Sequence, residues 1–156
     1  MKPTLEFSIL ENGKAAIAAG VVNNLVPAYD HDGDSGMRLY VLEDTLLQPF
    51  VPTLIPHGIA VKPPEGHETQ IRPRSSTLFK RNIHVAMGTI DYPYRGELMS
   101  CVMYTPRFAS GEPLKLKAGD RVSQLVCQPV TLVKTICKES LEETSRGDGG
   151  FGSTGT

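Results

Sequence analysis

Four stretches of this 156-residue chain carry residue types that do chemistry. Pro73-Arg74-Ser75-Ser76 sets a guanidinium fork beside two hydroxyls, a donor set suited to phosphate oxygens, although the same residues also suit a plain turn. Gly88-Thr-Ile-Asp91-Tyr-Pro-Tyr94-Arg95-Gly96 brings an aspartate out of a strand-like run and follows it with aromatics and a glycine. Asp91 reads either as a general base aimed into a cleft or as a turn aspartate. Gly119-Asp-Arg121-Val-Ser-Gln124-Leu125 alternates as a strand does, with Gln124 an inward polar group or an edge residue. The last stretch, Arg146 to Gly155, holds five glycines together with Phe151, Ser153 and Thr154. Glycine-rich backbone with hydroxyls wraps phosphate oxygens through N–H and O–H donors. In that setting Arg146 pairs with phosphate and Phe151 stacks on a base; the alternative is a frayed terminus.

Elements that position such residues follow from composition. The 15 glycines and 12 prolines are spread along the chain, which opposes a helical bundle, since each inside a helix costs about 1–3 kcal/mol. Turn sequences recur at Asn12-Gly13, Asp32-Gly33-Asp34, Pro63-Pro64-Glu65-Gly66, Ser110-Gly111-Glu112-Pro113 and Ala118-Gly119-Asp120. Between them lie short apolar, β-branched runs: Leu39–Leu42, Gly58–Val61, His84–Met87, Leu98–Tyr104, Arg121–Cys127 and Val130–Ile136. Short strands between frequent turns predict an all-β fold of jelly-roll type. Helix is expected only at Lys14–Ala19 or Thr45–Leu47, too short to matter. The barrel is expected over residues 1–140, with 141–156 a mobile glycine-rich arm.

Charge excludes some partners. Sixteen basic residues against 17 acidic give a net charge of −1, so no whole-molecule attraction to nucleic acid or anionic lipid is expected. No apolar run reaches 18 residues, and no apolar signal core follows Lys2, which predicts a cytoplasmic protein with no membrane association. Cys101, Cys127 and Cys137 form neither a disulfide framework nor a zinc site, and are expected as buried thiols.

Taken in order, these segments resemble the trimeric dUTPase family over residues 25–155. Its second motif matches Pro73–Ser76, its third Gly88–Gly96, its fourth Gly119–Leu125 and its fifth Arg146–Gly155. The first matches as Pro27-Ala-Tyr29 followed by Ser35-Gly36-Met37-Arg38-Leu39, with Arg38 where the family usually carries aspartate. Asp34, four residues earlier, lies about 13 Å away on an extended strand and substitutes only if the loop folds back.

The resemblance implies a distorted jelly-roll barrel hydrolysing Mg²⁺-bound dUTP to dUMP and pyrophosphate. Asp91 would activate the water, and Tyr94 would pack under the deoxyribose. A strand pair spanning Val85, Gly88 and Ile90 would show backbone groups to uracil; Val85 stands where many bacterial members have asparagine. Arg74, Ser75, Ser76 and Gln124 would hold phosphates and the metal's waters. Arg146, Gly152, Ser153 and Thr154 would close on the phosphates while Phe151 covers the base. No direct protein ligand to Mg²⁺ is implied, and Arg38 would face the metal unless a salt bridge to Asp34 or Glu43 turns it away. The family is homotrimeric with shared sites. Two alternatives are a nucleotide-binding regulator weakened by Arg38 and a related cytosine-nucleotide enzyme.

Overall fold

The computed structural model describes residues 3–108 and 111–149. Among these, eleven strands and two short helices follow one another, so the all-β expectation holds. The strands are β1 Glu6–Ile9, β2 Met37–Arg38, β3 Thr45–Leu47, β4 Pro52–Pro56, β5 Ile59–Lys62, β6 His67–Pro73, β7 Ile83–Val85, β8 Gly88–Ile90, β9 Met99–Tyr104, β10 Leu114–Leu116 and β11 Ser123–Pro129. The helices are α1 Glu11–Ala18 and α2 Ser75–Arg81. The strands form four small antiparallel sheets, ordered β2-β11-β6-β8, β4-β9-β7, β1-β5 and β10-β3.

β6 and β11 form the spine, paired over seven residues from Ser123↔Pro73 to Pro129↔His67. On β6, Thr69 and Ile71 point inward and are fully buried, while Glu68, Gln70 and Arg72 alternate outward and stay partly exposed, the period of two that fixes a strand's register. Two apolar clusters fill the interior. One gathers Met37, Leu39, Ile59, Val61, Ile71, Leu98 and Leu125, and the other Val41, Leu47, Ile55, Ile83, Val102, Leu116 and Val122. Val85 packs against both.

Several local expectations are corrected. Asn12-Gly13 is no turn but the first turn of α1, and Thr45–Leu47 is a strand. Gly13 is needed there because a Cβ would strike the Gly58 carbonyl; Gly58 in turn has φ +68° and lies against the Gly13 Cα. Two glycines thus let helix and turn touch. Leu39, Val41 and Leu42 are buried but lie outside any strand, β2 ending at Arg38; Val41 still exchanges backbone hydrogen bonds with Gly119 and Asp120 at 2.8 Å. Val130–Ile136 forms no strand: among the described residues it joins none of the sheets, and Leu132, Val133 and Ile136 are exposed. None of the cysteines is fully buried as expected: Cys101 and Cys127 are partly buried and Cys137 is exposed. No helix among the described residues is long and apolar enough to cross a membrane.

Candidate active site

One end of the spine carries the Arg74 group. β6 ends at Pro73, the chain turns into α2, and Arg74 and Ser75 line a cavity of about 370 Å³ with Gly36, Gln124, Asp30 and Asp34. Ser76 is exposed on α2 and does not line it. α2 was invisible in the sequence because its outward Leu78 and Phe79 are exposed, which spoils any amphipathic pattern. Its anchor is Thr77, buried, whose hydroxyl donates to the Val122 carbonyl at 2.8 Å. Gln124 Nε2 donates to the Pro73 carbonyl at 3.0 Å, and its side chain crosses Gly36 so closely that a Cβ there would overlap it. Glycine at 36 is therefore set by Gln124.

Arg38 does not face this cavity. Its Nε lies 3.5 Å from Asp30 Oδ1 and donates to the Ala28 carbonyl at 3.4 Å. The salt-bridge partner is Asp30, not the expected Asp34 or Glu43. Asp30 also accepts two hydrogen bonds from Arg121 Nη1, at 3.0 and 3.1 Å. Sequence reasoning missed Asp30, whose only signal is its place in the acidic run Asp30-His31-Asp32-Gly33-Asp34. The loop does fold back: the Asp34 N–H donates to the His31 carbonyl at 3.2 Å, bringing the Asp34 carboxylate to the wall, where it accepts the His31 N–H at 3.0 Å.

The other end carries Asp91. β8 pairs with β6 as Thr69↔Ile90 and Ile71↔Gly88, so Asp91 emerges beside Glu68. It lines a cavity of about 430 Å³ with Glu65, His67, Glu68, Tyr92 and Leu132. Residues 91–95 are all exposed, and the loop holds itself. The Tyr94 N–H donates to the Asp91 carbonyl at 3.0 Å, and the Tyr94 hydroxyl to the Glu97 carbonyl at 3.1 Å. Arg95 Nη1 donates to the carbonyls of Tyr92 and Tyr94 at 2.6 and 2.7 Å, with its guanidinium 5.7 Å from the centre of the Tyr92 ring. Gly96 is required because the Tyr94 ring occupies the space of a Cβ.

The expected strand pair around Val85, Gly88 and Ile90 is absent as such. β7 pairs with β9 and β8 with β6, so the two runs belong to different sheets joined by Ala86–Met87. The Val85 side chain is turned into the core, which leaves backbone as the chemistry this stretch offers.

The two ends are far apart. Arg74 stands five residues past Thr69 while Asp91 stands one past Thr69's partner Ile90, so strand rise alone separates them by about 17 Å or more. No residue lines both cavities. Arg146 joins neither; its Nε donates to the Gly149 carbonyl at 3.0 Å within a local turn. Phe151, Gly152, Ser153 and Thr154 lie outside the described residues.

Among the described residues no group of three His, Cys, Asp or Glu side chains is placed to hold a metal. The Arg74 cavity instead offers hard oxygens, the Asp34 carboxylate, the Ser75 hydroxyl and the Gln124 amide, beside one guanidinium. That set fits a magnesium ion that arrives on phosphate oxygens and keeps most of its waters.

Comparison with known proteins gives a consistent picture. The dUTPase family profile matches residues 23–155. Deoxyuridine 5'-triphosphate nucleotidohydrolase of Picosynechococcus sp. is 40% identical over 136 residues, covering 86% of this chain and 93% of the relative. The protein of the same name from Finegoldia magna is 43% identical over 137 residues, covering 85% and 93%. Among solved structures, a Staphylococcus bacteriophage 80alpha dUTPase G164S mutant with dUpNHpp superposes with a TM-score of 0.82 at 23% identity, covering 98% of this chain and 99% of that one. That likeness bears on the fold.

Proposed function

The chain belongs to the dUTPase family, and on that premise we infer that it hydrolyses dUTP to dUMP and pyrophosphate. The observation that carries the reading is the pair of half-sites at opposite ends of β6. One has the donors a triphosphate needs; the other has a carboxylate on a stiff aromatic loop. A single substrate cannot span about 17 Å of strand and have its α-phosphorus meet both, so each complete site takes Asp91 from one copy and Arg74, Ser75 and Gln124 from another. A closed oligomer does this by symmetry, and a trimer is the form the family resemblance implies.

At such a site Asp91 takes a proton from the attacking water, a general base worth about 10²–10⁴-fold. Tyr94, fixed through its hydroxyl to Glu97, offers its ring face to the sugar and leaves no room for a 2′-hydroxyl. Backbone groups of Gly88 and Ile90 read the uracil edge, with Val85 supporting them from the core. Arg74 and Ser75 bind phosphate oxygens, and Gln124, locked on Pro73 and Gly36, orients them. Magnesium bound with the triphosphate would neutralise charge there, with Asp34 accepting hydrogen bonds from its waters. Arg146, Gly152, Ser153, Thr154 and Phe151 form an arm over residues 141–156 that closes on phosphates and base.

Pyrophosphate release tests this with dUTP, dTTP, dCTP and UTP, each with and without Mg²⁺. Release from dUTP alone is expected. Equal release from dTTP or UTP, or ammonia from dCTP, would overturn the reading.

A further inference from the structure

Behind the Arg74 cavity lies a buried polar cluster that the reaction does not use directly. His57, on the turn between β4 and β5, is 1% exposed, and Ser100 and Ser123 are fully buried. His57 Nδ1 lies 2.9 Å from the Tyr40 carbonyl, which can only accept, so Nδ1 carries the proton and Nε2 is a bare lone pair. Ser100 Oγ lies 2.6 Å from Nε2 and 2.6 Å from Ser123 Oγ, whereas Ser123 Oγ is 3.4 Å from Nε2. Ser100 is therefore the nearer donor to the imidazole, with Ser123 joined through it. Burial pushes the imidazole down to about 4, so the ring stays neutral and the chain of bonds keeps one direction.

What the cluster connects gives it meaning. Tyr40 lies two residues beyond Arg38, at the end of the segment carrying Gly36; Ser123 immediately precedes Gln124. Those are the two segments whose close contact forms the cavity wall, yet β2 pairs with β11 only as Gln124↔Arg38 and Leu125↔Met37. The same chain segments meet again at Val41, whose N–H donates to the Asp120 carbonyl and whose carbonyl accepts the Gly119 N–H, each at 2.8 Å, but at Gln124 itself the register rests on those two residues of ladder. His57 ties both segments from behind, one through each ring nitrogen, and an unpaired buried nitrogen or hydroxyl would be costly enough to hold them there.

We propose that His57, acting through Ser100 and Ser123, is a positioning residue for the phosphate half-site: it aligns Gln124 against Gly36 without touching substrate. The proposal rests on the dUTPase reading and concerns only the Arg74 end. The Asp91 loop is held mainly by its own local bonds; it meets the turn that carries His57 through Glu97, whose Oε1 accepts the Gly58 N–H at 2.8 Å, and makes no bond to Ser100 or Ser123.

Ser123→Ala removes one buried hydroxyl and leaves the Ser100–His57 bond in place, so it tests the link without emptying the core. His57→Gln is the companion variant. For the intact oligomer, KM for dUTP and Kd for inorganic pyrophosphate are expected to rise together in Ser123→Ala, about five- to tenfold, the loss of one hydrogen bond. The value of kcat and the affinity for deoxyuridine should stay within about twofold, because they report the other half-site. Unchanged pyrophosphate binding in Ser123→Ala would overturn the proposal, and so would equal weakening of deoxyuridine, which means general loosening. Wild-type protein that binds pyrophosphate but does not turn over dUTP would sink the enzymatic reading and leave this alignment measurable by binding alone.

Discussion

The two ends of β6 are built in opposite ways. At the Arg74 end the frame behind the site is braced from within: Thr77 on Val122, Gln124 on Pro73 and Gly36, and His57 with two serines behind them. At the Asp91 end the functional groups sit on an exposed loop whose bonds are all to its own neighbours. Binding several phosphate charges needs donors held in register, which a core supplies. Presenting a base to another copy needs a projecting loop, stiff but unburied. On the proposed reading, each half takes its complement from another copy.

The largest expected effect separates chemistry from binding. Asp91→Asn keeps the shape of the loop and removes the base, so kcat should fall about 10²–10⁴-fold while dUTP binding holds. Single-turnover assays with binding by calorimetry measure both. Retention of more than about a tenth of wild-type kcat would move the base to another residue at this end, where Glu65 and Glu68 are the other carboxylates on the cavity wall.

An intermediate effect probes the buried frame. Burial holds the His57 imidazole at about 4, against 6.5 in the unfolded chain, with Glu97 the charged group acting to raise it. The unfolded state therefore binds the extra proton, and stability falls as pH drops from 6.5 towards 4, by on the order of 3 kcal/mol. Chemical denaturation across that window should show close to one proton taken up on unfolding, and the His57→Gln variant should lose that slope. Exposed Glu6 and Asp44, both lowered by lysine partners, act only at more acidic pH.

The smallest effect concerns Arg38. Its partner Asp30 keeps Arg121, and both members of the pair are about a third exposed, so Arg38→Ala should cost less than about 1 kcal/mol. Because the guanidinium faces Asp30 and Ala28, the Mg²⁺ titration of activity should overlap that of wild type. A shifted titration would place Arg38 at the phosphate end after all.

These contrasts also explain what the sequence disclosed. The exposed loop was legible almost whole, since Asp91, Tyr94 and Gly96 are close in sequence and their bonds are local. Arg74 and Gln124 were legible as residues, but not the frame that joins them, because Gly36, His57, Ser100 and Ser123 are brought together only by pairing of distant strands. α2 was missed, and the first turn of α1, ahead of the helix expected at Lys14–Ala19, was misread for the same reason. Thr77 earns its place through Val122, and Gly13 through Gly58, contacts no local pattern encodes. Val130–Ile136 looked like a strand because its residues favour one, yet it joins no sheet among the described residues and its side chains are mostly exposed.

The central claim is that one chain contributes its two ends to different sites, and mixed oligomers test it directly. Asp91→Asn and Arg74→Ala, each nearly inactive alone, are co-refolded in equal amounts. If a site takes Asp91 from one copy and Arg74 from another, about a quarter of sites receive two intact halves, and activity should return to about a quarter of wild type. Activity that stays at the mean of the two parent variants would mean that each chain completes its own site, and the account would be wrong.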